Sequence, residues 1–323
     1  MMMPMSSLPA AFPSIDGLAG IVRPHAVGGG DPLDGHWWAA WDLRGDVVGI
    51  LVALALLQFL GWTRLRRRGG AEAAPAWRLA AYQGGLLCLA LALLGPLDVY
   101  GALLFSAHMV QHLFLMLLAP PLLLWGAPMP TLLWGLPGWL RRRLGGQLAA
   151  GAALRRVVAW ISLPSRAWLV YLLVLTAWHV PAAYDLAQGN SLAHDLEHVS
   201  FFLSAGLFWW HVFAAPPQLH GLLGFGRRMG YLVAAFIHSQ ILGIVLAFAP
   251  APLYPYYAAR GGVLGWSVMD DQAASGAIMW VPGGMVYGLA MIVLAAAMLD
   301  REAKDVAAGT AALLAADRRR EAP

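Results

Sequence analysis

Charged side chains are scarce in this 323-residue chain, at 12% of residues against 60% hydrophobic, and its mean hydropathy is +0.64. An ordinary soluble domain is roughly a quarter charged, so half that density leaves too little polar surface to coat a soluble fold. Cysteine is nearly absent. Cys88 stands alone, which excludes a disulfide framework and a thiolate metal cluster; within an apolar run, its thiol reads as packing. The opening MMMPMSSLPAAFPSI has no basic stretch and no continuous apolar core, so it does not read as a cleaved signal peptide. Residues 1–45, with Gly28, Gly29, Gly30 and several prolines, read as a tail of low order.

Apolar runs are present instead, near the length of about 20 residues that crosses a ~30 Å hydrocarbon core. Seven are expected, at 47–63, 77–97, 103–125, 168–187, 191–213, 229–249 and 272–299. The lipid bilayer is therefore the first partner, and the fold class is an all-α, seven-helix transmembrane bundle over 46–300. Basic residues orient it, because Lys and Arg accumulate on the cytoplasmic side. Of 21 such residues, only Arg23, Arg44 and Arg260 fall on the opposite side. The N-terminus is expected outside, and residues 301–323 form a cytoplasmic tail. The pI of 9.5 thus reports topology and gives no reason to invoke nucleic acid. Segment 136–164 holds Arg141, Arg142, Arg143, Arg155 and Arg156 among apolar patches, which predicts one or two short helices on the cytoplasmic surface.

Histidine placement is uneven. In this topology His108, His112, His179, His194 and His198 share the outer half, and His238 lies just below them. The stretches AHMVQH and AHDLEH each carry two imidazoles at i and i+4, which stack on one helix face about 6 Å apart. Two such stripes face to face could supply four neutral nitrogen ligands to a metal. Imidazole suits copper, zinc, iron and nickel, and thioethers lean towards Cu(I); Met109, Met116 and Met279 are the soft donors near enough to consider. Gln111 and Glu197 are placed to orient the rings. Single intramembrane histidines are more often hydrogen-bonded helix contacts; convergence of several at one depth favours a site. His211 and His220 are read as structural, and Trp209, Trp210 and Trp266 as interfacial anchors.

Haem is the rival cofactor. His198 and His211 are 13 residues apart, about 20 Å along a helix, which would suit two stacked haems if another helix carried a matching pair. None does, so two haems are disfavoured and a single one stays open. An intramembrane oxidoreductase and a metal or proton transporter stay open as well. Three proline sites are expected to bend or break helices: Pro120–Pro121, Pro181, and Pro282 with Gly283 and Gly284.

HMVQHLFLMLLAPPLLLWGAP, TAWHVP, DLEHVSFF and DQAASGAIMWVPGG together resemble the CtaG family of bacterial cytochrome c oxidase assembly proteins, over residues 46–299. The resemblance implies a non-enzymatic membrane protein of the bacterial inner membrane, needed to make active haem–copper oxidase and linked to its copper centres. An oxidase subunit is the implied partner and copper the implied ion. Carried over by motif are His108, His112, His179, His198, Asp271, Gln272, Met279 and Trp280. His194 and His238 rest on spacing and depth alone. A homo-oligomer is compatible with all of this.

Overall fold

The computed structural model describes residues 40–147, 149 and 151–321. The expected N-terminal tail lies almost wholly outside them, His25 and His36 included. The architecture is all-α; among the described residues the one extended pairing is an isolated antiparallel bridge between Val263 and Trp266. In chain order the helices are α1 (Gly45–Ala73), α2 (Ala76–Leu93), α3 (Pro96–Gly101), α4 (Phe105–Leu113), a π-helical turn (Phe114–Leu118) and α5 (Ala119–Trp125). Then come α6 (Pro128–Gly135), α7 (Gly138–Gln147), α8 (Ala153–Ile161), α9 (Pro164–Trp178), α10 (Pro181–Gly189), α11 (Ser191–Phe213), α12 (Phe225–Ala247), α13 (Pro255–Ala258) and α14 (Val268–Glu321).

Among the described residues, five helical stretches are long and apolar enough to cross a membrane: Gly45–Ala73, Ala76–Leu93, Phe105–Trp125, Phe225–Ala247 and Val268–Thr310. The pair α8 and α9 qualifies together as a sixth, bent by 59°. Seven spans were expected. The stretch not among these six is α11, whose 23 residues suffice in length but whose apolar character is diluted by His194, Asp195, Glu197, His198 and His211. The outward faces are apolar, with Ile50, Leu56 and Phe59 on α1, Ile241 and Val245 on α12, and Leu289 and Ile292 on α14 all exposed. A soluble monomer rarely shows contiguous apolar surface on that scale.

Proline accounts for most local departures from the expected spans. The fourth ends early: α9 stops at Trp178 and α10 starts afresh at Pro181. Pro181 has no N–H to give to a preceding turn, and Val180 before it is extended (φ −68°, ψ 128°). In the third span, Pro120 and Pro121 do not end the path. The helix widens into the π turn, closed by the Ala119 N–H to the Phe114 carbonyl, and the prolines occupy the first turn of α5, where their missing N–H costs least. Pro120 leaves the Met116 carbonyl without its helical donor, and the Trp209 indole N–H supplies one at 2.9 Å. Pro282 lies inside α14 without interrupting it: a single ladder bond is lost, and the apolar turns on either side hold the helix together. Segment 136–164 forms two short helices, α7 and α8.

Close helix contacts fix the remaining geometry. A Cβ on Gly61 of α1 would overlap the Thr131 carbonyl of α6, and one on Gly276 of α14 would overlap the backbone of Gly243 and Ala247 on α12. Small residues at such crossings let backbones touch where no water drives association. One apolar cluster, with Tyr171, Phe208, Trp209, Leu232 and Tyr287, fills the bundle between α9, α11, α12 and α14. An aromatic group of Phe105, Tyr184, Tyr254 and Tyr257 closes the opposite end. The histidines lie between them.

Candidate metal centre

Two helices carry the site, and each is started by a specific hydrogen-bonded cap. For α11 the cap is local: the Asn190 side chain accepts from the N–H groups of Leu192 and Ala193, both at 3.0 Å. Its first two turns then contain His194, Glu197 and His198. For α4 the residue before the first turn is Leu104, which cannot cap. Asp271 of α14 does so from 166 residues away, accepting from Phe105 N–H at 2.7 Å and Ser106 N–H at 3.0 Å. A carboxylate at a helix N-terminus also meets the positive end of the dipole. Asp271 is itself set by the start of α14, where the Ser267 hydroxyl accepts from Asp270 N–H at 3.1 Å and donates to its carboxylate at 2.6 Å.

These caps bring four buried side chains together. His108, His112, Glu197 and His198 each offer one ligand atom, all within 4.8 Å of one another. Glu197 Oε2 is 3.8 Å from His108 Nε2, and Oε1 is 3.6 Å from His112 Nε2. Both distances exceed a direct hydrogen bond. They approach the ~3.3 Å that separates two ligands about 2.0–2.1 Å from one tetrahedral ion. Glu197 is 0% exposed, and neither of its carboxylate oxygens has a hydrogen-bond partner. A bare buried carboxylate costs several kcal/mol, and a cation shared with neutral imidazoles removes that cost. Three nitrogens and one oxygen form a donor set suited to a divalent copper or zinc ion.

Gln188 Nε2 lies 2.6 Å from His108 Nδ1, and His108 Nε2 faces His112 Nε2. His112 Nδ1 is buried without a hydrogen-bond partner. A metal on His108 Nε2 requires the ring proton on Nδ1, with the Gln188 amide oxygen accepting it. Tyr184 packs its ring 5.4 Å from His108.

The Caa3_CtaG family, described as the cytochrome c oxidase caa3 assembly factor, matches residues 56–301. This chain belongs to that family. It is also similar to an uncharacterized protein of Mycobacterium bovis, 27% identical over 233 residues, 71% of this chain and 35% of the relative. An uncharacterized protein of Mycobacterium leprae is 24% identical over 258 residues, 76% of this chain and 37% of the relative. The chain thus spans little more than a third of the length of these relatives. No solved structure matches it.

The other sequence-derived site residues of this CtaG-family chain fall into three places. His194 borders the centre, its ring 4.1 Å from His198 and 5.4 Å from His108. Gln111 and Asp271 act by positioning: Gln111 Nε2 donates to the Ala92 carbonyl and to Asp98 Oδ1, both at 2.8 Å. Gln272 does likewise for a loop, accepting from Leu253 N–H at 2.7 Å. The rest lie outside the four-residue group. His179 donates from Nδ1 to the Leu175 carbonyl at 2.7 Å, its ring centroid is 6.3 Å from that of Phe201, and its Nε2 is buried without a hydrogen-bond partner. His238 Nε2 meets the Thr176 hydroxyl at 2.9 Å. Met279 is packed among apolar side chains, and Trp280 sits at the surface beside Phe248. Gln188 and Asp98 were not anticipated as site residues. Asp98 stands in PLDVYG at the start of a six-residue helix, a pattern with no metal signature.

Arg44, just before α1, pairs with Asp195 at 2.6 Å and with Asp46 at 2.9 Å beside this end of α11. Its hydrogen bonds, to Asp195 first and then to Asp46, push its pKa above the usual guanidinium range.

Proposed function

We propose that this chain assembles a haem–copper cytochrome c oxidase by binding copper in the His108–His112–Glu197–His198 pocket and passing it to an oxidase subunit. Family membership supports the assembly role. The observation that supports copper handling is Glu197, fully buried, without a hydrogen-bond donor, and lying 3.6–3.8 Å from two imidazole nitrogens. Copper here is cargo. Its transfer is ligand exchange, with no covalent bond of a substrate made or broken, so the role is not enzymatic. The topology that goes with it is seven crossings in the bacterial inner membrane. The N-terminus and the histidine end lie outside, the C-terminus in the cytoplasm.

Two other uses of the same histidines are less well supported. A transporter needs polar groups through the whole thickness, yet beyond the site the bundle is filled by Tyr171, Phe208, Trp209 and Tyr287. A pair of haems would need His211, whose Nε2 is engaged by the Ser162 carbonyl at 2.7 Å.

Element analysis of purified protein, together with oxidase activity in cells lacking the native gene, tests the proposal. Wild type should retain copper through desalting and restore the oxidase. His112→Ala and Glu197→Gln should do neither. Wild-type oxidase levels in both variants would refute copper handling by this pocket.

A further inference from the structure

Next to the buried group lies a second cluster that shares one of its members. Asp98, His194 and His198 also bring three ligand atoms within 4.8 Å of one another. The two differ in exposure. All four residues of the first group are buried, whereas Asp98 and His194 are partly exposed. The buried group therefore has no side chain of its own that meets an arriving hydrated ion, and the second cluster has two.

The elements around the pair are built to hold both. His194 and His198 are one turn apart on α11, their rings 4.1 Å apart. His194 also faces His108, at 5.4 Å between ring centroids, so it stands between the surface and the buried group. Asp98 is fixed by the Gln111 amide at 2.8 Å, and Gln111 lies on α4 between the two buried ligands His108 and His112. One polar side chain thus ties the exposed carboxylate to the helix that carries the buried imidazoles. Each position contributes a single carboxylate, Asp98 in one and Glu197 in the other. A cation moving between them keeps the same formal compensation of charge.

We propose that Asp98, His194 and His198 form a loading position, which captures a divalent metal ion at the surface and hands it to the buried position through His198. The step is a ligand exchange. The ion keeps a bond to the His198 imidazole, gives up the Asp98 carboxylate and the His194 nitrogen, and takes the Glu197 carboxylate and the nitrogens of His108 and His112. No electron is transferred, and the nitrogens that bind are neutral before and after. This rests on the copper-binding reading of the buried group.

The test uses the full chain in detergent and the cupric ion alone. Uptake is followed in time by quenching of tryptophan fluorescence, and metal retained after desalting is measured at the end. The Asp98→Asn/His194→Gln variant should reach the wild-type content but take it up about 10-fold more slowly or worse. The Glu197→Gln/His112→Ala variant should take up the ion fast and retain none. Uptake by the first variant at the wild-type rate would overturn the loading role while leaving the buried site intact. Complete loss of retained metal in that variant would overturn it too, since Asp98 and His194 would then belong to a single site. Failure of the wild type to retain copper would instead refute the buried site itself. Equal elution volumes and helical circular dichroism of all three proteins establish that they fold alike.

Discussion

Removing the Asp271 carboxylate should loosen the helix that carries His108 and His112, although Asp271 touches neither. In Asp271→Ala the N–H groups of Phe105 and Ser106 lose their acceptors at 2.7 and 3.0 Å, and Leu104 has nothing to offer in exchange. Loss of a capping side chain costs about 0.5–2 kcal/mol. Hydrogen bonds to a charged group contribute ~1.5–3 kcal/mol each. Asp271 is only 5% exposed, so water replaces it poorly, and about 2–3 kcal/mol is expected overall. For a chain of this size that is a fall in apparent Tm on the order of 5 °C. His108 is in the first turn of α4, so its ring should wander and copper retention should drop with it. Asp271→Asn keeps one neutral acceptor and should fall between the two. Differential scanning fluorimetry of the three proteins, with and without copper, measures this. An Ala variant matching wild type in both Tm and retained copper would refute the positioning role. A variant with unchanged Tm and no copper would make Asp271 a ligand.

Other perturbations have separate readouts. Trp209→Phe removes the donor to the Met116 carbonyl and should cost about 1–2 kcal/mol without changing metal content, as thermal melts in detergent would show. Gln188→Leu leaves His108 Nδ1 unpaired and should weaken copper affinity about 10–100-fold, read by competition against a chelator of known affinity. Gly61→Val places side-chain atoms on the Thr131 carbonyl; an overpacking cost of about 3 kcal/mol should show as loss of the monodisperse peak in size-exclusion chromatography.

Much of this fold is written in local sequence. Apolar runs locate α1, α2, α12 and the start of α14, because length and hydropathy alone determine what can lie in lipid. The i, i+4 spacing of AHMVQH and AHDLEH is enough to align their rings along a helix face. What local sequence does not carry is rotation about the helix axis. His238 lies on a helix close by, yet its Nε2 is engaged by Thr176, whereas His179 is held at Nδ1 by the Leu175 carbonyl and keeps a buried Nε2 without a partner. Met279 shares a helix with Asp271 but faces apolar neighbours. Hydropathy windows also average across Pro181, which hides the break between α9 and α10. Nonlocal partners are the least legible. Asp271 as a cap for α4, Trp209 as a donor to a carbonyl freed by Pro120, and Gln188 on His108 all join residues more than 75 positions apart.

X-ray absorption at the copper edge, on the full chain loaded with one equivalent of copper, addresses the central claim most directly. The account predicts nitrogen and oxygen ligands alone near ~2.0 Å, with outer-shell scattering from three imidazole rings, reduced in Glu197→Gln. A sulfur ligand near ~2.3 Å, or fewer than two imidazoles, would contradict it.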